Sequence, residues 1–144
     1  MTWDNLLKKR KIYLIVDNDI DDQQFLVEAL VENNPDCLCF TASSGEEAIT
    51  NLTEDLIPIP DLVFLDLNMP ILNGKQCLVI LKQSSSLQHI PVIIYSTTSS
   101  KQEIREMKKQ GASYFLIKTH SFKELRKELA SIPVMADNDQ DIGL

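Results

Sequence analysis

Five short, largely apolar runs recur along this chain, separated by stretches of helical period, and that rhythm limits the folds open to it. Ile12 to Val16 (IYLIV) is β-branched and apolar throughout, as a strand covered on both faces would be. Cys37 to Thr41, Leu62 to Leu65, Val92 to Tyr95 and Tyr114 to Ile117 read as four more strands. Between them, Asp22 to Asn33 places Phe25, Leu26, Ala29 and Leu30 on one side of a helix that Pro35 and Asp36 break. Ser44 and Glu47 have the spacing of a capping box ahead of Ala48, Ile49 and Leu52. The pairs Ser100–Glu103 and Ser121–Glu124 repeat that signal ahead of Ile104 and Met107, and of Leu125 and Leu129. Asn73 and Gly74 lead into a helix carrying Cys77, Leu78 and Leu81, and Gly111 and Pro133 stop the last two helices.

Strands alternating with helices in this way predict an α/β fold. Its (βα)5 doubly wound, five-stranded parallel sheet would have helices on both faces and right-handed crossovers. The expected layout is an N-terminal extension over 1–10, one domain over 11–132, and an acidic, aperiodic tail over 133–144 expected to be disordered. Hydrophobic residues make up 44% of the 144, enough for a real core. The formal net charge of -7 disfavours nucleic acid as a partner, because phosphates repel it and no basic tail offsets it. No apolar run approaches the ~20 residues of a spanning helix, and the basic N-terminus lacks the layout of a signal peptide. Three cysteines, an odd number without a framework, suit reduced thiols in a cytoplasmic protein. Cys37 and Cys39 would share one face of a strand and pack in the core.

In open α/β sheets, ligands bind beyond the carboxyl ends of the strands where strand order reverses. Asp17, Asn18 and Asp19 follow the first strand; Asp66, Leu67 and Asn68 follow the third. Ser96 and Thr97 follow the fourth, and Lys118 the fifth. Taken singly, each has a plain explanation: aspartates cap and turn, lysines sit in solvent, Asn–Gly makes a turn. The conjunction of acid, acid, hydroxyl and lysine, each just after a buried strand, points instead to a site for a hard cation and an oxyanion. No glycine-rich loop follows the first strand, which argues against a dinucleotide.

These segments resemble a known family. PDLVFLDLNMPILNG (Pro60 to Gly74), IPVIIYST (Ile90 to Thr97) and GASYFLIK (Gly111 to Lys118) are similar to the phosphoacceptor, switch-hydroxyl and lysine segments of response-regulator receiver domains, the two-component signalling modules typified by the chemotaxis regulator. The resemblance implies strand order 2-1-3-4-5. It implies Asp66 as phosphoacceptor, a Mg²⁺ (or Mn²⁺) held by Asp17, Asn18, Asp66 and the backbone carbonyl of Asn68, and Ser96 and Lys118 on the phosphoryl group. Ser96 and Phe115 would be the switch pair. The implied partners are a sensor histidine kinase or histidine phosphotransfer protein, and a protein target on the fourth helix, fifth strand and fifth helix. A homodimer is left open. Output through other proteins is expected of a stand-alone receiver that is not a metabolic enzyme, catalysing at most its own phosphorylation and dephosphorylation.

Two positions depart from the family pattern. Asn18 stands where an acid is usual, which should weaken cation binding. Thr119 stands where proline is usual, and a cis peptide before it would cost about 2.5–4 kcal/mol. Two other readings remain. A phosphorylation-independent pseudo-receiver is favoured by Asn18. An aspartyl-phosphate hydrolase is disfavoured by Asn68, two residues after the nucleophile, where such enzymes carry an acid.

Overall fold

The computed structural model describes residues 10–98 and 100–135. The chain runs β1 (Ile12–Val16), α1 (Ile20–Asn33), β2 (Leu38–Ala42), α2 (Gly45–Thr53), β3 (Leu62–Leu65), α3 (Gly74–Gln83), β4 (Val92–Ser96), α4 (Lys101–Lys109), β5 (Tyr114–Ile117) and α5 (Phe122–Ser131). The strands pair in parallel in the order β2-β1-β3-β4-β5, as expected. Alternation along each strand divides the core in two. Leu14, Val16, Val63, Leu65, Val92 and Ile94 face α2, α3 and α4, whose Ala48, Leu52, Cys77, Leu78, Leu81 and Met107 cover them. Tyr13, Ile15, Leu62, Phe64, Ile93 and Tyr95 face α1 and α5 through Leu26, Ala29, Leu30, Leu125 and Leu129. Cys37 packs on that second side, its Sγ 3.9 Å from Cys39 Sγ, so the two thiols share a face.

The edges of the expected elements shift for local reasons. Asp19 caps α1 by accepting from the Asp22 amide, so the helix starts at Ile20 rather than at Asp22. The second strand covers Leu38–Ala42, one residue later than read. The fourth runs on through Ser96, making that hydroxyl a strand residue. The three Ser-x-x-Glu sites keep only the serine half of a capping box. Glu47 reaches Ser43 N–H instead, while the amides of Ser100 and Ser121 donate to the hydroxyls of Thr98 and Thr119. The reciprocal box forms at Asn73 and Gln76, opening α3. Gly111, with φ +109°, terminates α4 as its sequence position suggested. Past α5 the structure departs from the expected tail: Pro133–Met135 form a further turn, and Val134 and Met135 pack against the second core cluster. The rest of that tail, and residues 1–9 of the N-terminal extension, lie outside the described residues. Among the described residues no helix is long and apolar enough to cross a membrane.

Candidate functional site at the carboxyl edge of the sheet

The reversal of strand order falls between β1 and β3, whose ends deliver Asp17 and Asp66 side by side. Val16 pairs with Leu65, and the next amide, that of Asp66, donates to Val16 O at 2.9 Å. The Asp17 amide donates to Ala42 O at 3.0 Å. Both carboxylates are buried, Asp17 1% and Asp66 4% exposed. Continuing the ladder past a buried strand thus leaves two acids inside the protein. Neither is left bare: Asp17 Oδ1 accepts from the Asp19 amide at 2.9 Å, and Asp66 Oδ1 from the Asn68 amide at 3.3 Å.

Lys118 supplies the opposing charge. Its amide donates to Ser96 O at 2.8 Å, which anchors the residue at the end of β5. Its Nζ lies 2.8 Å from Asp17 Oδ2, 2.8 Å from Asp22 Oδ2 and 3.8 Å from Asp66 Oδ2, and 5.4 Å from the centre of the Tyr95 ring. No cis peptide occurs among the described residues, so Lys118 reaches the acids through a trans bond to Thr119. Burial alone would lower the lysine pKa. Hydrogen bonds to Asp17 and Asp22 and the charges of Asp66 and Asp17 outweigh it, so the group is held above its ordinary value as a permanent cation. The Asp66 pKa is pushed up too, to about 6, which for a carboxylate disfavours the charged form. Burial is the main cause and the Asp17 charge adds to it, against the pull of Lys118 and the amides of Asn68 and Leu67.

The other expected residues belong to the same strands or to the loops that follow them. Ser96 is fully buried, and its Oγ has no hydrogen-bond partner among the described residues, an uncommon state for a buried hydroxyl. Asn18 and Asn68 are exposed at the ends of β1 and β3. Phe115 is half-buried against the α2–α3–α4 side of the core. The loop after β3 is fitted closely to α3. A Cβ on Gly74 would stand 2.2 Å from Asp66 O and 2.6 Å from Leu67 Cα, so only glycine lets the helix approach the strand end this closely.

Two residues of the site escaped the sequence reading. Asp22 has the appearance of an ordinary acid in a first helical turn, and its lysine partner lies 96 residues away. Gln23 is buried beneath the β1–α1 loop, where its Nε2 donates to Asp17 O at 2.6 Å and approaches Ser43 Oγ at 3.2 Å. A polar residue on the apolar side of a predicted helix was the available signal for it.

Three carboxylates against one ammonium leave excess negative charge around hard oxygen donors, which suits a hard divalent cation. Among the described residues no three His, Cys, Asp or Glu side chains converge as a complete ligand set. A cation here would therefore take Asp17 and Asp66 together with neutral oxygens, and the amide of Asn18 and the carbonyl of Asn68 are the neighbouring ones.

Residues 13–130 match the response regulator receiver domain family. The chain belongs to that family. Among curated relatives it is 26% identical over 126 residues to the response regulator Rcp1 of Synechocystis, covering 85% of this chain and 86% of Rcp1. It is 35% identical over 114 residues to the nitrate/nitrite response regulator NarL of Escherichia coli, covering 76% of this chain but only 50% of NarL. Among solved structures, the Mn²⁺-bound form of Rcp1 superposes with a TM-score of 0.76 at 24% identity, over 84% of this chain and 93% of that one. The phosphorylated cyanobacterial phytochrome response regulator RcpA gives 0.76 at 24% identity, over 90% and 92%. Receivers are signalling modules that bind a divalent metal and interact with histidine kinases and downstream targets.

Proposed function

We propose that this receiver is a phosphorylation-dependent switch whose phosphoacceptor is Asp66. The observation that carries the reading is the pair of buried carboxylates, Asp17 and Asp66, meeting the Lys118 ammonium where strand order reverses. An aspartate pushed up to about 6 is still mostly ionised at neutral pH and has little competing hydration, as a nucleophile requires. In the transfer, an Asp66 oxygen bonds to phosphorus as the P–N bond of a phosphohistidine breaks. The donor is a histidine kinase or phosphotransfer protein, whose imidazole leaves with the bonding pair. Asp17, Asn18, Asp66 and the Asn68 carbonyl would hold the Mg²⁺ or Mn²⁺, which supplies neutralisation of the phosphoryl oxygens. The Mn²⁺ of Rcp1 and the phosphoryl group of RcpA, in receivers of the same fold, support this assignment.

Lys118 then pairs with a phosphoryl oxygen, a charge-assisted contact made from a position already beside Asp66. The unpartnered Ser96 hydroxyl gains an acceptor by turning toward the same group, and its movement opens space for Phe115 to turn inward. The altered face of α4, β5 and α5 is the docking surface for a downstream protein. The reading places the protein in the cytoplasm, where Cys37, Cys39 and Cys77 remain thiols.

A second reading, a pseudo-receiver that is never phosphorylated, draws on Asn18 and on the engagement of Lys118 by Asp22. Incubation with a phosphorylated histidine phosphotransfer domain, with Mg²⁺ or with EDTA, separates the two by intact mass. One added phosphoryl group in Mg²⁺ alone supports the switch. No transfer in either condition, from that protein or from acetyl phosphate, leaves the pseudo-receiver.

A further inference from the structure

We propose that Asp22 is a latch on Lys118, a positioning residue that holds the ammonium off Asp66 until a phosphoryl group competes for it. The inference rests on the reading of Asp66 as phosphoacceptor. The Lys118 Nζ is shared between Asp17 Oδ2 and Asp22 Oδ2, each 2.8 Å away, and stands back from Asp66 Oδ2 at 3.8 Å, beyond hydrogen-bond range. The groups facing it are these three carboxylates, from the ends of β1 and β3 and from α1, and the Tyr95 ring from β4.

Asp17 belongs to the cation site in any case. Asp22 is the member that the transfer chemistry does not need. It is held in place by its helix, because its own amide donates to the Asp19 cap and the next residue, Gln23, ties the helix to the β1–α1 loop. Its carboxylate is also the most exposed of the three, so its hold on the ammonium is screened and a phosphoryl oxygen in the buried site can displace it. A first-turn acid stabilises any helix, and Asp21 is such an acid one residue earlier, exposed and acidic in the same turn. Asp21→Asn therefore removes the same charge from the same turn without touching the lysine contact.

The test is the initial rate of labelling of the full chain by acetyl phosphate and Mg²⁺, read by intact mass. Asp22→Asn frees the ammonium for the incoming phosphoryl group and should label roughly three- to tenfold faster than wild type, the range of one charge-assisted contact regained. Asp22→Glu should restore the wild-type rate, and Asp21→Asn should leave it unchanged. An Asp22→Asn rate equal to or below wild type, or an equal acceleration in Asp21→Asn, overturns the latch. If neither wild type nor variant labels, the Asp66 reading fails, and melting temperatures still decide whether Asp22 holds the lysine. In a cycle with Lys118→Met, an Asp22→Asn shift that disappears when Lys118 is absent supports the hold, and additive shifts overturn it.

Discussion

Leu65 and Asp66 are consecutive, both buried, and burial acts on them with opposite sign. The body of the sheet, to which Leu65 belongs, is apolar on both faces and stabilised by being dry. The carboxyl edge, which begins at Asp66, is equally dry and is destabilised by it, as the raised pKa of Asp66 records. The hydrophobic effect that builds the one supports the cost of the other. A receiver therefore stores its chemistry at the boundary between two regions held together for different reasons.

The largest effect expected from this contrast is in the body. Leu65→Ala should cost about 2–5 kcal/mol, since a fully buried leucine leaves a cavity against α3 and α4; urea denaturation would measure it. A loss under about 1 kcal/mol would mean that the core relaxes around the gap. Next comes the seam between the regions. Gly74→Ala should cost about 3 kcal/mol, the upper end of overpacking, because the new methyl meets backbone atoms of Asp66 and Leu67 that have no rotamer to change. The same urea denaturation would test it, and a neutral result would show that the loop after β3 yields.

At Asp66 the sign should reverse. The carboxyl binds its proton more tightly folded, at about 6, than at its ordinary 3.8. Stability contributed by this group is thus fully present below the ordinary value and is lost as pH rises toward about 6. Asp66→Asn removes that loss, so the variant should gain on wild type between those values and hold a lead of order 2–3 kcal/mol at neutral pH. Denaturation across pH without divalent cation checks it, and a variant less stable than wild type at pH 7 would contradict the account of the edge. The smallest effect is at exposed Asn18. Asn18→Asp adds a like charge beside Asp17 and should lower the apo melting temperature by a degree or two, consistent with a screened cost of about 1 kcal/mol or less. It should also enlarge the Mg²⁺-dependent rise in melting temperature. Equal metal-dependent rises in both proteins would show that Asn18 does not weaken the site.

The body was the more legible region, and for the same physical reason that it is stable. Burial on both faces writes itself into sequence as unbroken runs such as IYLIV and LVFL; those runs give the strand number and put Asp17, Asp66, Ser96 and Lys118 at strand ends, while the strand order came from the resemblance to receiver domains. The edge was legible only where a functional group follows a strand directly. Asp22 and Gln23 lie inside a helix, and what they do depends on partners brought in by the fold, Lys118 for the one and the β1–α1 backbone for the other. The Ser-x-x-Glu pairs misled in a smaller way, because neighbouring threonine hydroxyls reached two of the serine amides before the glutamates could.

If the buried acid at the end of β3 receives the phosphoryl group, chemical mapping should find the modification there. Borohydride reduces an aspartyl phosphate to homoserine, and peptide mapping after treatment with phosphodonor and Mg²⁺ would locate it. Homoserine is expected in place of Asp66, with Asp17 and Asp22 unmodified and no conversion in Asp66→Asn. Conversion at any other aspartate, or labelling that persists in Asp66→Asn, would contradict it.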